Sequence, residues 1–140
     1  YGNELNSLVV TMKDLDPNKE WIKYKPKLDR KKLIKLYSQY DLGIFASSCE
    51  NLSNIILEKI SSGLPIVCSN TPSVSFWLKN YKNKFNPLSP LSLEKVLAKI
   101  IPSNSCRYKL AKNYKIQSNK FSWNLSAKKT FKLINNSSLN

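Results

Sequence analysis

The 140-residue chain contains no histidine. That single absence removes Ser-His-Asp and Cys-His catalysis from these residues, together with any zinc site built on imidazole. Cysteine is nearly as scarce: Cys49, Cys68 and Cys106 are odd in number and show no Cys-x-x-Cys spacing. They fit neither a disulfide framework nor a metal knuckle, so a reduced, cytoplasmic compartment is expected. No apolar run approaches the roughly 18 residues that a membrane-crossing helix needs. The chain opens YGNELNSLVV, without a basic and then apolar leader and without an initiator methionine, and reads as a piece of a longer protein.

Acidic residues are also few, 9 Asp and Glu against 23 Lys and Arg, for a net charge of +14. Such an excess favours anionic partners: nucleic acid, phosphorylated ligands or an anionic membrane surface. The lysines are scattered, however, as in DRKKLIKLY, NYKNKF and SAKKTFK, which also fits an ordinary solvated surface. Hydrophobic residues make up 41% and aromatics 11%, enough for a folded core, and the length fits one domain over residues 1–140.

The patterning points to an α/β fold. SLVVTM (7–12) and EWIKY (20–24) read as short strands. Asp29 reads as an N-cap for a helix through RKKLIKLYSQY, with Leu33, Leu36, Tyr37 and Tyr40 recurring at three and four. LGIFAS (42–47) is an uninterrupted apolar run, as in a strand covered on both faces. NIILEKISS reads as a helix stopped by Gly63 and Pro65, and PIVCS as a second buried strand. Strand, helix and strand in so short a span make a βαβ crossover and a parallel sheet, with four or five strands expected overall. NKFNP reads as one more strand. Three helices follow, through LSLEKVLAKII, SCRYKLAKNYKIQSNKF and SWNLSAKKTFKLINN.

In parallel sheets of this kind ligands sit beyond the carboxyl ends of the strands, where ASSCEN and CSNTPS fall. Two acids stand there in a chain that has few, Glu50 in the loop and Glu58 about one turn into the next helix. The amides of residues 51–54 would form that helix's N-terminal end, a natural phosphate site. Carboxylates on either side could accept hydrogen bonds from hydroxyls, a layout suited to a diphosphate with a polyol at each end. The alternative is plain helix chemistry, since an acid near a helix N-terminus is favoured by roughly 0.3–1 kcal/mol.

The segment LYSQYDLGIFASSCENLSNIILEKISSGLPIVCSN resembles the donor-binding half of family 4 (group 1) glycosyltransferases of the GT-B fold. Their motif is Glu-x7-Glu followed by Ala/Ser-x-Gly-x-Pro-Val-Val, matched here by Glu50, Glu58 and Ser62-Gly63-Leu64-Pro65-Ile66-Val67. KFNPLSPLSLEKVLAKI is similar to the Phe-Asp-Pro stretch and next helix of that family, and NKFSWNLSAKKTFKLI to its Phe-Ser-Trp and closing helix.

The resemblance implies a Rossmann-like parallel sheet flanked by helices, one half of a GT-B fold, with a helical C-terminal tail. It implies a nucleotide-sugar substrate such as a UDP- or GDP-hexose, no cofactor, no bound metal and retention of configuration. Glu50 would be catalytic and accept hydrogen bonds from the transferred sugar, and Asn51, Leu52 and Ser53 would meet that sugar or the diphosphate. Glu58 would hold the ribose, with Ser48 and Asn54 nearby. The acceptor would lie on a missing N-terminal domain, so these residues alone are not expected to turn over. The chain departs from the family where many members carry Glu-Gly-Phe-Gly in place of Glu50-Asn51-Leu52-Ser53, and where Ser75 stands about at the position of an acid. Peripheral association with the inner membrane face is a further expectation, and nucleic acid is not an expected partner. The alternative from another class is a non-catalytic basic module for nucleic acid or an anionic membrane surface.

Overall fold

A computed structural model describes residues 2–50, 54–78 and 82–137, which separate by their contacts into one unit over 1–30 and another over 31–140.

The first unit contains helix α1 (Gly2–Leu15) and the segment after it. SLVVTM is therefore helical rather than a strand. Val9 and Met12, spaced by three, are the half-buried positions of the stretch, and Lys13 lies in the last turn, where a cation suits the helix dipole. The buried Asp16 carboxylate then accepts backbone N–H bonds from Glu20, Trp21 and Ile22 at 3.0, 2.9 and 2.6 Å. Lys19 enters the left-handed region (φ 56°) to close this loop. EWIKY forms no strand: its first three backbone donors are held by Asp16 and are lost to a ladder.

The second unit runs α2 (Arg30–Tyr37), β1 (Gly43–Phe45), α3 (Asn54–Ser61), β2 (Ile66–Ser69), α4 (Pro72–Trp77), β3 (Lys84–Phe85), α5 (Pro90–Ile100), α6 (Asn104–Ser118) and α7 (Trp123–Ser137). The sheet is parallel, in the order β1-β2-β3, with Phe45 opposite Cys68 and Ser69 opposite Phe85. The βαβ crossover of the sequence is thus β1-α3-β2. Three strands form among the described residues, fewer than the four or five expected, and the short helix α4 fills the stretch after β2.

The central strand β2 is buried on both faces. Ile66 and Cys68 join Phe45, Ile56, Ile60, Leu64, Val74, Leu78 and Tyr114 on one side, while Val67 packs with Phe85 and Ile100 on the other. Tyr114 of α6 also donates its hydroxyl to the Ile66 carbonyl at 3.2 Å, so the buried phenol is satisfied. The edge strand β1 departs from the expectation of cover on both faces. Gly43 and Phe45 are buried, but Ile44 is 42% exposed, because the second core gathers over β2 and β3.

Helix α3 ends as its sequence indicates. Gly63 takes φ +85° and donates to the Ile60 carbonyl, and Leu64 donates to Lys59, the paired bonds of a Schellman cap. Leu64 then turns into the core, and the Pro65 carbonyl accepts the Gly43 N–H at 2.8 Å, leading the chain straight into β2. Ser89 and Ser103 cap α5 and α6 through their hydroxyls.

Candidate functional site

One short polar contact joins the carboxyl ends of β1 and β2, and a second shapes the loop after β1. The fully buried Ser69 hydroxyl, at the end of β2, donates to the Ser47 carbonyl at 2.6 Å. The Ser47 hydroxyl in turn donates to the Cys49 carbonyl at 3.1 Å. The loop after β1 is thereby curled toward β2 and stabilised immediately before Glu50. Ser48 and Cys49 are exposed in this loop, and Glu50 is half-buried.

Glu58 sits on α3, half-buried, four residues after Asn54 and hence on nearly the same side of the helix. Four residues span about 6 Å of helix axis, so Glu58 lies one turn from the end that faces the β1 loop. Asn54 is exposed as the first residue of α3. Asn51, Leu52 and Ser53, expected to offer amides to sugar or diphosphate, lie outside the described residues. The structure thus brings the loop of Glu50 and the helix of Glu58 to one edge of one crossover.

Two neighbours of Glu58 escaped the sequence reading. Tyr37, at the end of α2, packs on the core, and burial together with the Glu58 charge raises its phenol above the ordinary tyrosine range. Lys59 reaches back to donate to the Ile44 carbonyl at 3.0 Å, with its ammonium 6.0 Å from the Tyr37 ring centroid. Burial lowers the Lys59 pKa. In β1 the Gly43 N–H points to β2, so the Ile44 carbonyl points to the open edge, and Lys59 satisfies it there. Nothing in residue order marks Lys59 for this role, since only the fold brings residue 44 beside it. On β3, the strand on the far side of β2, Lys84 donates to the Ser75 hydroxyl at 2.7 Å.

Among the described residues no three His, Cys, Asp or Glu side chains converge as a metal site would require. One recess of about 460 Å³ lies within the first unit, beside Asp16, Lys19 and Tyr24, and another of about 620 Å³ lies along α7; neither includes Glu50 or Glu58. Chemically, Glu50 and Glu58 offer carboxylates, which accept hydrogen bonds, and a helix start attracts anions.

The family model for glycosyl transferases group 1 matches residues 2–121, a span that includes β1, α3 and β2 with both glutamates. No curated protein and no solved structure matches the chain. With most of its length matched by that model, the chain belongs to the group 1 glycosyl transferases.

Proposed function

We propose that the chain is the donor-binding half of a two-domain, family 4 glycosyltransferase of the GT-B fold, working in the cytoplasm on a nucleotide diphosphate sugar such as a UDP- or GDP-hexose. What supports this is the spacing of Glu50, in the loop after β1, and Glu58, on α3 of the same βαβ crossover, inside the family match. Glu50 accepts hydrogen bonds from the hexose and Glu58 from the ribose, while Asn51, Leu52 and Ser53, which precede α3, meet the sugar or the diphosphate. Ser48 and Asn54 border the same space.

In the transfer, the bond between the anomeric carbon and the diphosphate oxygen breaks, and the diphosphate leaves with the electron pair. The acceptor hydroxyl bonds to the anomeric carbon on the face just vacated, and its proton passes to the departing phosphate. This retains configuration and needs no histidine base, of which the chain has none. Amides and basic side chains around the phosphates would stabilise the leaving charge in place of a metal. The acceptor is held by an N-terminal domain, so full turnover requires that partner.

Titration calorimetry with UDP, GDP and their hexose conjugates tests the reading. Saturable binding of one nucleotide, tightened by its hexose, is expected; absence of binding to all of them, even with the acceptor domain added, overturns it.

A further inference from the structure

Lys59 joins the two elements on which the candidate site stands. From the last turn of α3 its ammonium donates to the Ile44 carbonyl of β1 at 3.0 Å. Glu50 follows Ile44 in the loop after β1, and Glu58 immediately precedes Lys59 on α3. The bond therefore spans the same pair of elements whose relative position sets the separation of the two carboxylates.

Both ends of this bond are held by their own neighbours. The Lys59 carbonyl accepts the Leu64 N–H at 3.2 Å and the Ser62 hydroxyl at 2.6 Å, so the side chain starts from a closed helix end. Gly43, beside Ile44, donates to the Pro65 carbonyl at 2.8 Å and stands opposite Ile66 in the sheet. Tyr37 of α2 meets the same junction. Its ring centroid lies 6.0 Å from the Lys59 ammonium, and burial, then the Glu58 charge, raise its phenol.

Stability alone does not account for a lysine here. Ile56 and Ile60 already seat α3 in the core. Lys59 is half-buried and burial lowers its pKa, so its surroundings disfavour the charge. A methionine would fill similar space without desolvating an ammonium. The Ile44 carbonyl faces an open edge, where water can take the place of the lost donor. What apolar packing lacks is direction. Core contacts tolerate small slides of a helix, whereas a hydrogen bond holds donor and acceptor to within roughly half an ångström.

We propose that Lys59 is a positioning residue: its bond to the Ile44 carbonyl fixes α3 against β1, and so holds Glu58 at the distance from Glu50 that one ligand can bridge. The identity of that ligand rests on the donor reading, and the fixing of the loop on the bond itself.

The native 140-residue chain, Lys59→Met and Lys59→Arg test it through three measurements. In Lys59→Met the urea midpoint should stay level or rise. Backbone amide exchange across residues 43–50, followed by mass spectrometry, should nevertheless accelerate about tenfold. In calorimetry with UDP- and GDP-hexoses, the extra affinity that the hexose adds over bare nucleotide should fall about tenfold. Lys59→Arg keeps a donor of sufficient reach and should restore both the exchange and the affinity. A midpoint that falls in step with the faster exchange would mark a merely structural bond and overturns the proposal. Native exchange in Lys59→Met, or losses that Lys59→Arg does not restore, overturn it as well. If the native chain binds no nucleotide even with the acceptor domain added, the donor reading fails instead. Exchange across 43–50 then decides for the bond: acceleration at unchanged stability upholds the fixed loop, and unaltered exchange refutes it.

Discussion

The Ser69 hydroxyl donates a 2.6 Å hydrogen bond to the Ser47 carbonyl, joining the end of β2 to the loop that presents Glu50. Ser69 is fully buried, so water cannot take its place. Ser69→Ala should therefore leave the carbonyl short of a partner and lower stability by about 1–3 kcal/mol, read as a shift in the urea midpoint. The loop should also loosen. Amide exchange at Cys49 and Glu50 should accelerate by more than the change in global stability accounts for, whereas a purely structural role would raise both in step.

Glu50 and Glu58 are half-buried and lie outside the fully buried core, so removing either charge should spare the fold. A hydrogen bond to a charged group contributes about 1.5–3 kcal/mol. On the proposed roles, Glu58→Gln should weaken UDP or GDP binding by at least about tenfold. Glu50→Gln should leave bare nucleotide binding nearly intact and abolish the extra affinity of the hexose. Calorimetry on the two variants separates the roles, and equal losses for both ligands in both variants would show that the division between sugar and ribose is mistaken.

Much of this arrangement was legible in residue order, for a physical reason. The helix stop at Gly63-Leu64-Pro65, the buried run PIVCS and the serine caps of α5 and α6 are governed by local dihedrals and periodicity, which a sequence displays directly. SLVVTM and EWIKY misled because β-branched and aromatic residues score as strand wherever they stand. In the first case a helical spacing prevailed, and in the second the Asp16 carboxylate took the donors a ladder would need. Lys59 and Ser69 were invisible as site-shaping residues because their partners, Ile44 and Ser47, are 15 and 22 positions away. Contacts of that separation depend on the sheet already being assembled.

Gly63 and Gly43 should fail differently on substitution. At Gly63 an added Cβ meets open space, but the positive φ disfavours any L side chain by about 1–2 kcal/mol. Gly63→Ala should lower stability by that amount, read as a fall in melting temperature, and Gly63→Asn by less, since asparagine tolerates this region. At Gly43 the added Cβ would sit 2.9 Å from Leu64 Cδ2 and 3.0 Å from Ile66 Cγ2. Both are core side chains beside β1, so Gly43→Ala should destabilise through overpacking, by about 1–3 kcal/mol.

In the first unit, burial alone would raise the Asp16 pKa, but three backbone N–H donors outweigh it and hold the carboxyl below its ordinary 3.8. A depressed acid contributes stability above its unfolded pKa and loses it as pH falls through the folded value. The loop Asp16–Ile22 should thus stay closed at neutral pH and open only below about pH 3.8. Amide exchange at Glu20, Trp21 and Ile22 reports the opening. Asp16→Asn should make that exchange fast and nearly independent of protonation of the residue at 16. Slow exchange in the variant would show that α1 and Lys19 hold the loop without the carboxylate.

Cys68 gives the opposite sign. Burial in the central strand pushes its thiol from 9.0 up to about 12, with Lys59 and Lys84 opposing that rise only in part. The folded chain therefore keeps a proton that the unfolded chain releases. The associated stability is whole below pH 9 and declines as pH climbs toward 12, by about tenfold in the folding constant per pH unit for this one group. Urea unfolding at pH 8 and pH 10 should show a larger loss for the native chain than for Cys68→Ala, because other alkaline groups are common to both. The exposed Cys49 supplies an internal control. An alkylating reagent at pH 8 should modify Cys49 readily and reach Cys68 only after denaturant unfolds the sheet, and mass spectrometry distinguishes the two peptides. Ready modification of Cys68 in the folded chain would mean that β2 is open to solvent, contrary to its burial on both faces.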